Sequence, residues 1–424
     1  MDSALPGHRC SASSGGHPST GSGRTEKGAA RRDRHPLPAG AAGLALPDRR
    51  RSAPSGGSEP REAGSVGAKI LLVKLSSLGD VVHALPVVQD IRAALPDAQI
   101  DWVTEASFAP VLALNPGLHR IVPCEIRRWR KSPLTAATRQ EWRAFRGALR
   151  HDAYDAVIDL QGLTKSAVVA RLARLALGGK RYALANQTEG SGYEAPTRWL
   201  ADVAIHIEPH VHAVQRSREL AARALGYTVS SPPDFGLKSA CLSATPRFAD
   251  TDEIANRVVF VHGTSRLDKE WAFNHWIALG RRLIGAGYQI VLAHGSGKEL
   301  AKSQAMARVL NEHAAGNALV WPILPLDALT IEMAGCAGVI GVDSGVSHIA
   351  VALELPHVQV YNFDTAWRTG PAEASGRQVS VFAQPEPGVD DVWQAWLACL
   401  ETVKAMPLDT SVSAGRMTFS ADPS

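Results

Sequence analysis

A chain of 424 residues, 45% hydrophobic and 20% charged, is long enough for about two globular domains at roughly 100–200 residues each, which excludes a small stapled module. Five cysteines, Cys10, Cys124, Cys241, Cys336 and Cys399, lie far apart without CxxC or Cys/His ligand spacing, so neither a disulfide framework nor a zinc site is expected. The net charge of +4 resides in the first 68 residues, which hold ten Lys/Arg against six Asp/Glu; the remainder is neutral, which argues against a nucleic-acid partner.

Residues 1–68 are dominated by Gly, Ser, Pro, Ala and Arg and show no helical or strand period, so a disordered, dispensable extension or an upstream start-site artefact is expected. They contain no apolar core of a secretory signal. No run of about 18 uninterrupted apolar residues occurs, which excludes an ordinary spanning helix and leaves a soluble or peripheral protein.

From residue 69 short apolar runs alternate with longer amphipathic ones. "KILLVKL" reads as a buried strand, "HALPVVQDIRAALP" as a helix, "QIDWVTE" as a strand, "FAPVLALNP" as a helix, "HRIVPC" as a strand, "TRQEWRAFRGALRH" as a helix and "YDAVIDLQG" as a strand. Residues 180–250 are looser and rich in turn residues, with "SSPPD" at Ser230–Asp234. The pattern then restarts: "RVVFVHG" as a strand, "WAFNHWIALGRRLIGAG" as a helix, "QIVLAHG" as a strand, "ELAKSQAMARVLNEH" and "LDALTIEMAGC" as helices, "GVIGVDSG" as a strand with its turn, and "VSHIAVALE" as a helix. Two consecutive doubly wound α/β domains follow, residues 69–245 and 246–405, with a flexible tail at 406–424.

Open parallel sheets bind ligands at the carboxyl ends of their strands, which directs attention to "SSLGD" (76–80), "HGTSRLDKEW" (262–271), "HGSGKE" (294–299) and "GVDSGVSH" (341–348). In the second, Gly263 permits a tight turn, Thr264 and Ser265 offer hydroxyl donors and Lys269 supplies a point cation, a set suited to a diphosphate. In the fourth, Asp343, Ser344 and Gly345 precede a helix whose first N–H groups are free, and the Asp343 carboxylate can accept sugar hydroxyls. Each turn is also an ordinary helix cap; together they favour a nucleotide-diphosphate site. "HGSGKE" is not a P-loop, because Leu292 and Glu299 occupy its first Gly and its Ser/Thr positions. The first strand is not followed by G-x-G-x-x-G, which disfavours a dinucleotide oxidoreductase.

The stretches "ILLVKLSSLGDVVHALPVVQDI", "IRRWRK", "YDAVIDLQGLTKSA", "HGTSRLDKEW" and "GVDSGVSHIAVAL" resemble, in the same order, those of the ADP-heptose glycosyltransferase family of bacterial lipopolysaccharide synthesis, over roughly residues 69–400. The resemblance implies a GT-B fold, with two Rossmann-like domains facing across a cleft, acceptor on the first and nucleotide sugar on the second. The implied reaction is inverting, needs no metal or cofactor, and moves L-glycero-D-manno-heptose from ADP-heptose to the first Kdo of Kdo2-lipid A at the cytoplasmic face of the inner membrane. It also implies Asp80 as the base. Lys269, Thr264 and Ser265 would hold the diphosphate, and Asp343, Ser344, Gly345 and His348 would form the second donor motif. Glu299 would meet the ribose and Leu324 the adenine. Arg127, Arg130 and Lys131, with Lys74 ranked lower, would hold the acceptor's carboxylates and phosphates. Arg128 and Trp129 would seat the chain on an anionic membrane. Where the family shows a Gly-Pro-Thr-like turn this chain has "NFDTAWRTGPAEASG" (362–376), and "NQTEGSGYEAP" within 180–215 carries few anchors, so contacts there are left open. Two alternatives stand beside this reading: a transferase for a later core position, and a non-catalytic nucleotide-binding protein on the same scaffold.

Overall fold

The computed structural model describes residues 67–244, 256–371 and 376–405. The expectations for the extension up to residue 66, for the joint at 245 and for the tail 406–424 lie outside the described residues.

The described strands form two six-stranded sheets. The first contains β1 (Lys69–Val73), β2 (Gln99–Glu105), β3 (Arg120–Cys124), β4 (Ala153–Asp159), β5 (Arg174–Leu184) and β6 (Val203–Ile205), in spatial order β3-β2-β1-β4-β5-β6. The second contains β7 (Arg257–Val261), β8 (Gln289–Leu292), β9 (Ala318–Val320), β10 (Gly338–Val342), β11 (His357–Tyr361) and β12 (Gln378–Phe382), in order β12-β11-β10-β7-β8-β9. Their pairings are parallel. The second order is the first read from the other edge, so the same doubly wound topology occurs twice. In each sheet the winding reverses between the first and fourth strands, β1/β4 and β7/β10, and the crevice outside that pair is where ligands bind in such sheets. We propose 69–245 and 246–405 as the two domains on this basis.

The central strands show why the sequence folds this way. In β1, Ile70 and Leu72 enter the core between the two sheets, while Leu71 and Val73 enter a separate core on the outer face. In β7, Val259 and Val261 join the inner core and Val258 and Phe260 the outer one. A period of two with both faces buried needs an unbroken apolar run, and each such side chain contributes about 1.5–3 kcal/mol relative to exposure. The inner core is continuous from one sheet to the other through the helices Leu78–Ala84 and Gly345–Ala352.

The looser stretch of the sequence proves more regular than its composition implies. It contains the end of β5, which begins six residues before it, together with β6 and the helix Ala213–Leu225. The first half of β5 is largely exposed and carries Gly178 and Gly179, and its pairing with β4 shifts register between Tyr154 and Ala156. No apolar run marks such a strand. Cys124, Cys241, Cys336 and Cys399 are buried thiols, and burial pushes Cys124 and Cys336 up to about 12.

His357 lies within β11, fully buried, and its Nδ1–H donates to the Val339 carbonyl at 3.0 Å. Burial pushes its pKa down to about 4. Between pH 6.5 and 4 the unfolded chain therefore binds a proton that the folded chain refuses, so stability falls as pH falls through that window. By pH 4.5 this one group removes on the order of 2 kcal/mol. In urea titrations at pH 7 and 4.5, His357→Gln should lose less stability on acidification by about that amount; an unchanged acid loss would contradict the assignment.

Candidate active site

The first switch point is fastened before it is functional. After β1, the Leu75 amide donates to Gln161 Oε1 at 2.7 Å and Gln161 Nε2 donates to the Ser76 carbonyl at 2.8 Å, tying this turn to the end of β4. The buried Asp159 carboxylate accepts from the Gln161 and Gly162 amides and the Ser166 hydroxyl. Burial nevertheless pushes its pKa up to about 6. Lys74, 2% exposed, points its ammonium at the Leu160 carbonyl, 3.0 Å away.

Asp80 stands in the first turn of the helix Leu78–Ala84. Its Oδ2 accepts from the Ser77 amide at 3.1 Å and the Ser77 hydroxyl at 2.9 Å, half of a capping box. Its Oδ1 lies 3.8 Å from Lys74 Nζ and 3.8 Å from Arg216 Nη2, beyond hydrogen-bond reach of either. The cap and the chemical role are thus compatible, since each oxygen is free for one of them. Burial raises the Asp80 pKa, but Lys74, the Ser77 hydrogen bonds and Arg216 outweigh it and hold the carboxyl below its ordinary range. With 41% of the side chain exposed, a substrate hydroxyl can reach it. Burial lowers Lys74 to about 8, although the Asp80 charge raises it.

Gly79 meets the other domain directly. A Cβ there would sit 2.7 Å from His348 Cδ2, and one on Gly345 would sit 2.8 Å from Leu78 Cβ. The two glycines let the helix bearing Asp80 and the helix following Asp343 touch. His83, one turn beyond Asp80, packs on His348 with ring centroids 4.1 Å apart. Burial first, then the neighbouring histidines, keeps His83 neutral well below the ordinary histidine pKa.

At the second switch point, Lys269 Nζ donates to Asp343 Oδ2 at 2.5 Å, His348 Nε2 lies 3.4 Å from Asp343 Oδ1, and the Thr264 hydroxyl donates to the Asp343 carbonyl at 3.2 Å. Burial alone would raise the Asp343 carboxyl; His348 and Lys269 overcome it and hold it well below the carboxylate range. Ser265 is exposed beside Thr264. Ser344 caps the helix Gly345–Ala352, with its Oγ 3.4 Å from that of Ser347. Glu299, in the first turn of the helix Gly297–Leu310, accepts from the Gly295 amide at 2.7 Å. A Cβ on Gly263 would lie 2.6 Å from its carboxyl carbon, so Glu299 rests over the turn after β7. Leu324 is half-buried in the loop after β9, against the inner core. Lys269, Thr264, Asp343, His348 and Glu299 therefore form one group around the ends of β7 and β10.

Arg127, Arg130 and Lys131 are exposed on and just after the short helix Ile126–Trp129. One expectation for this stretch is corrected. Trp129 is 7% exposed, donates to Glu141 Oε2 at 2.7 Å and packs against Trp142 and Phe145, so it serves the outer core and cannot enter a membrane. Arg128 is engaged by Glu125 and Glu141. Sequence reasoning also missed two cations. Lys165 donates to the Ser76 hydroxyl at 2.8 Å and is lowered by burial and then by Arg127, with Arg130 a smaller contributor, which places it with the basic loop. Arg216 faces Asp80 from the helix Ala213–Leu225. The position of Lys165 after a β4 turn was the signal available; Arg216 carried none.

The family model described as glycosyltransferase family 9 (heptosyltransferase) matches residues 142–393. Lipopolysaccharide heptosyltransferase 1 of Escherichia coli K12 is 36% identical over 298 residues, 69% of this chain and 87% of the relative; that of Pseudomonas aeruginosa PAO1 is 37% identical over 300 residues, 69% and 78%. The chain belongs to glycosyltransferase family 9, the heptosyltransferases. It is a glycosyltransferase of lipopolysaccharide synthesis with the GT-B fold. The solved structure of the E. coli heptosyltransferase WaaC with ADP matches with TM-score 0.68 and 32% identity, covering 77% of this chain and 98% of that one. WaaC with ADP-2-deoxy-2-fluoro heptose matches with TM-score 0.63.

Proposed function

We propose that the chain transfers L-glycero-D-manno-heptose from ADP-heptose to the first Kdo of Kdo2-lipid A by a single inverting displacement. The observation that carries this reading is the placement of Asp80 at one switch point and the Lys269–Asp343 pair at the other, on helices and turns that meet at Gly79 and Gly345. Asp80 Oδ1 takes the proton of the acceptor hydroxyl as its oxygen attacks the anomeric carbon. The bond from that carbon to the diphosphate breaks on the opposite face. The departing ADP gains negative charge, which the Lys269 ammonium and the Thr264 and Ser265 hydroxyls stabilise in place of a divalent ion. Lys269 uses one of its N–H groups on Asp343, which leaves two for phosphate oxygens. Asp343 and His348 position the heptose, and Glu299 and Leu324 the nucleoside.

On the acceptor side, Arg127, Arg130, Lys131 and Lys165 bind the Kdo carboxylates and lipid A phosphates. Lys74 acts through Asp80 instead, because its ammonium is enclosed. Among the described residues no helix is long and apolar enough to cross a membrane. The exposed basic residues, followed by Leu134 at 83% exposure, suit peripheral attachment to an anionic bilayer at the cytoplasmic face of the inner membrane. Offered Kdo2-lipid A and the same acceptor already bearing one heptose, the enzyme should use the first at least 10²-fold faster by kcat/KM; preference for the second would assign it to a later core position.

A further inference from the structure

Two stretches in which the family resemblance is thin are brought together here. Asn362 Nδ2 donates to the carbonyls of Asp268 at 3.1 Å and Glu270 at 2.9 Å, gripping the donor loop on both sides of Lys269. The chain then runs through the short helix Ala366–Thr369 to the first domain. Trp367 stacks on His210, with centroids 3.8 Å apart and planes 19° from parallel, and Arg368 donates to the Gly190 carbonyl. The Gly370 carbonyl takes the Nε2–H of His212, whose Nδ1 accepts from the Val214 amide. His210 is held by Glu189 at 2.9 Å, and the Glu189 amide donates to the Pro209 carbonyl, so the loops 188–191 and 209–212 are tied to each other.

That loop pair leads to Asp80. Buried Thr188 accepts from Arg216 Nη1 at 3.2 Å, and Arg216 Nη2 is the group 3.8 Å from Asp80 Oδ1. Arg216 is itself buried, and its Nε finds no partner among the described residues. A buried guanidinium so incompletely bonded is a poor source of stability. Its placement is better accounted for by the carboxylate it faces.

We propose that Arg216 is a positioning residue for Asp80, and that the segment Asn362–Gly370 clasps the two domains and sets Arg216 through Thr188, so that an ordered donor loop and an aligned base arise together. The inference rests on Asp80 being the base. It extends that reading by naming what aligns the base and by linking this to the donor site. A double-mutant cycle between the two ends of this chain of contacts measures the coupling.

In the full-length enzyme, Trp367→Ala should lower kcat about fivefold and leave the Kd for ADP-heptose within about twofold, within the range of effects transmitted through packed contacts. Arg216→Met should lower kcat by more, and Arg216→Lys should recover most of it. Adding Trp367→Ala to Arg216→Met should lower kcat by less than about twofold further. The inference is overturned if the losses multiply, if Trp367→Ala leaves kcat unchanged, or if it weakens donor binding as much as it lowers kcat. Trp367 is half-buried, so its variant tests the clasp even if Arg216→Met fails to fold. Asp80→Asn measured alongside separates the two levels: normal turnover there removes the base assignment, whereas slow turnover with multiplying losses removes only the clasp.

Discussion

Asp80→Asn should bind ADP-heptose within about twofold of wild type and lower turnover by about 10²-fold or more, the scale of general-base catalysis. The substitution is nearly isosteric, and the amide oxygen can still accept from the Ser77 amide and hydroxyl that now bond to Oδ2, so the first turn of the helix keeps its cap. What is lost is the basic oxygen facing the cleft and the charge opposite Lys74 and Arg216. The two buried cations then lose the carboxylate they share, leaving Asp159 as a weaker counter-charge to Lys74, which lowers stability; circular dichroism and donor calorimetry separate that loss from the catalytic one. Turnover near the wild-type rate in a folded, donor-binding variant would reduce Asp80 to a helix cap.

Lys269→Ala should weaken ADP-heptose binding about tenfold and lower kcat by about 10²-fold, comparable to removing one charge-stabilising donor from other transferring sites. The effect on kcat exceeds that on binding because the charge on the diphosphate grows as the glycosidic bond breaks. The variant also takes the ammonium at 2.5 Å from the buried Asp343 carboxylate and leaves it the His348 ring at 3.4 Å. Binding calorimetry and ADP release report the two effects separately. Unchanged donor affinity and rate would remove Lys269 from the site.

These expectations were partly legible before any coordinates. "KILLV" and "RVVFV" are buried on both faces, and a central parallel strand has no other way to look. The turns that follow them carry the proposed site residues, at the points where the topology reverses. The resemblance implied Asp80 as the base, and in the structure Oδ2 is bonded to Ser77 as a cap while Oδ1 lies 3.8 Å from Lys74 and from Arg216. Other features were hidden by residues that break the usual association of charge with exposure. The helix Ala213–Leu225 buries Arg216 and Arg218, the latter paired with Asp90 at 2.7 Å, so its core face reads as a solvated one. Trp129 erred in the opposite direction: set among four cations, it reads as an exposed aromatic, yet its ring lies beneath the helix Ala136–Leu149. The partnership of 362–370 with 188–212 joins residues more than 150 positions apart, and no local pattern encodes it.

The central claim is tested most directly by incubating the full-length enzyme with ADP-heptose and Kdo2-lipid A in the presence of a metal chelator, scoring ADP release, acceptor mass and the configuration of the new anomeric bond. One heptose should be added per ADP released, on the first Kdo and with inversion; ADP release without a gain in acceptor mass, or a product of retained configuration, would contradict transfer by a base at Asp80 opposite a diphosphate at Lys269.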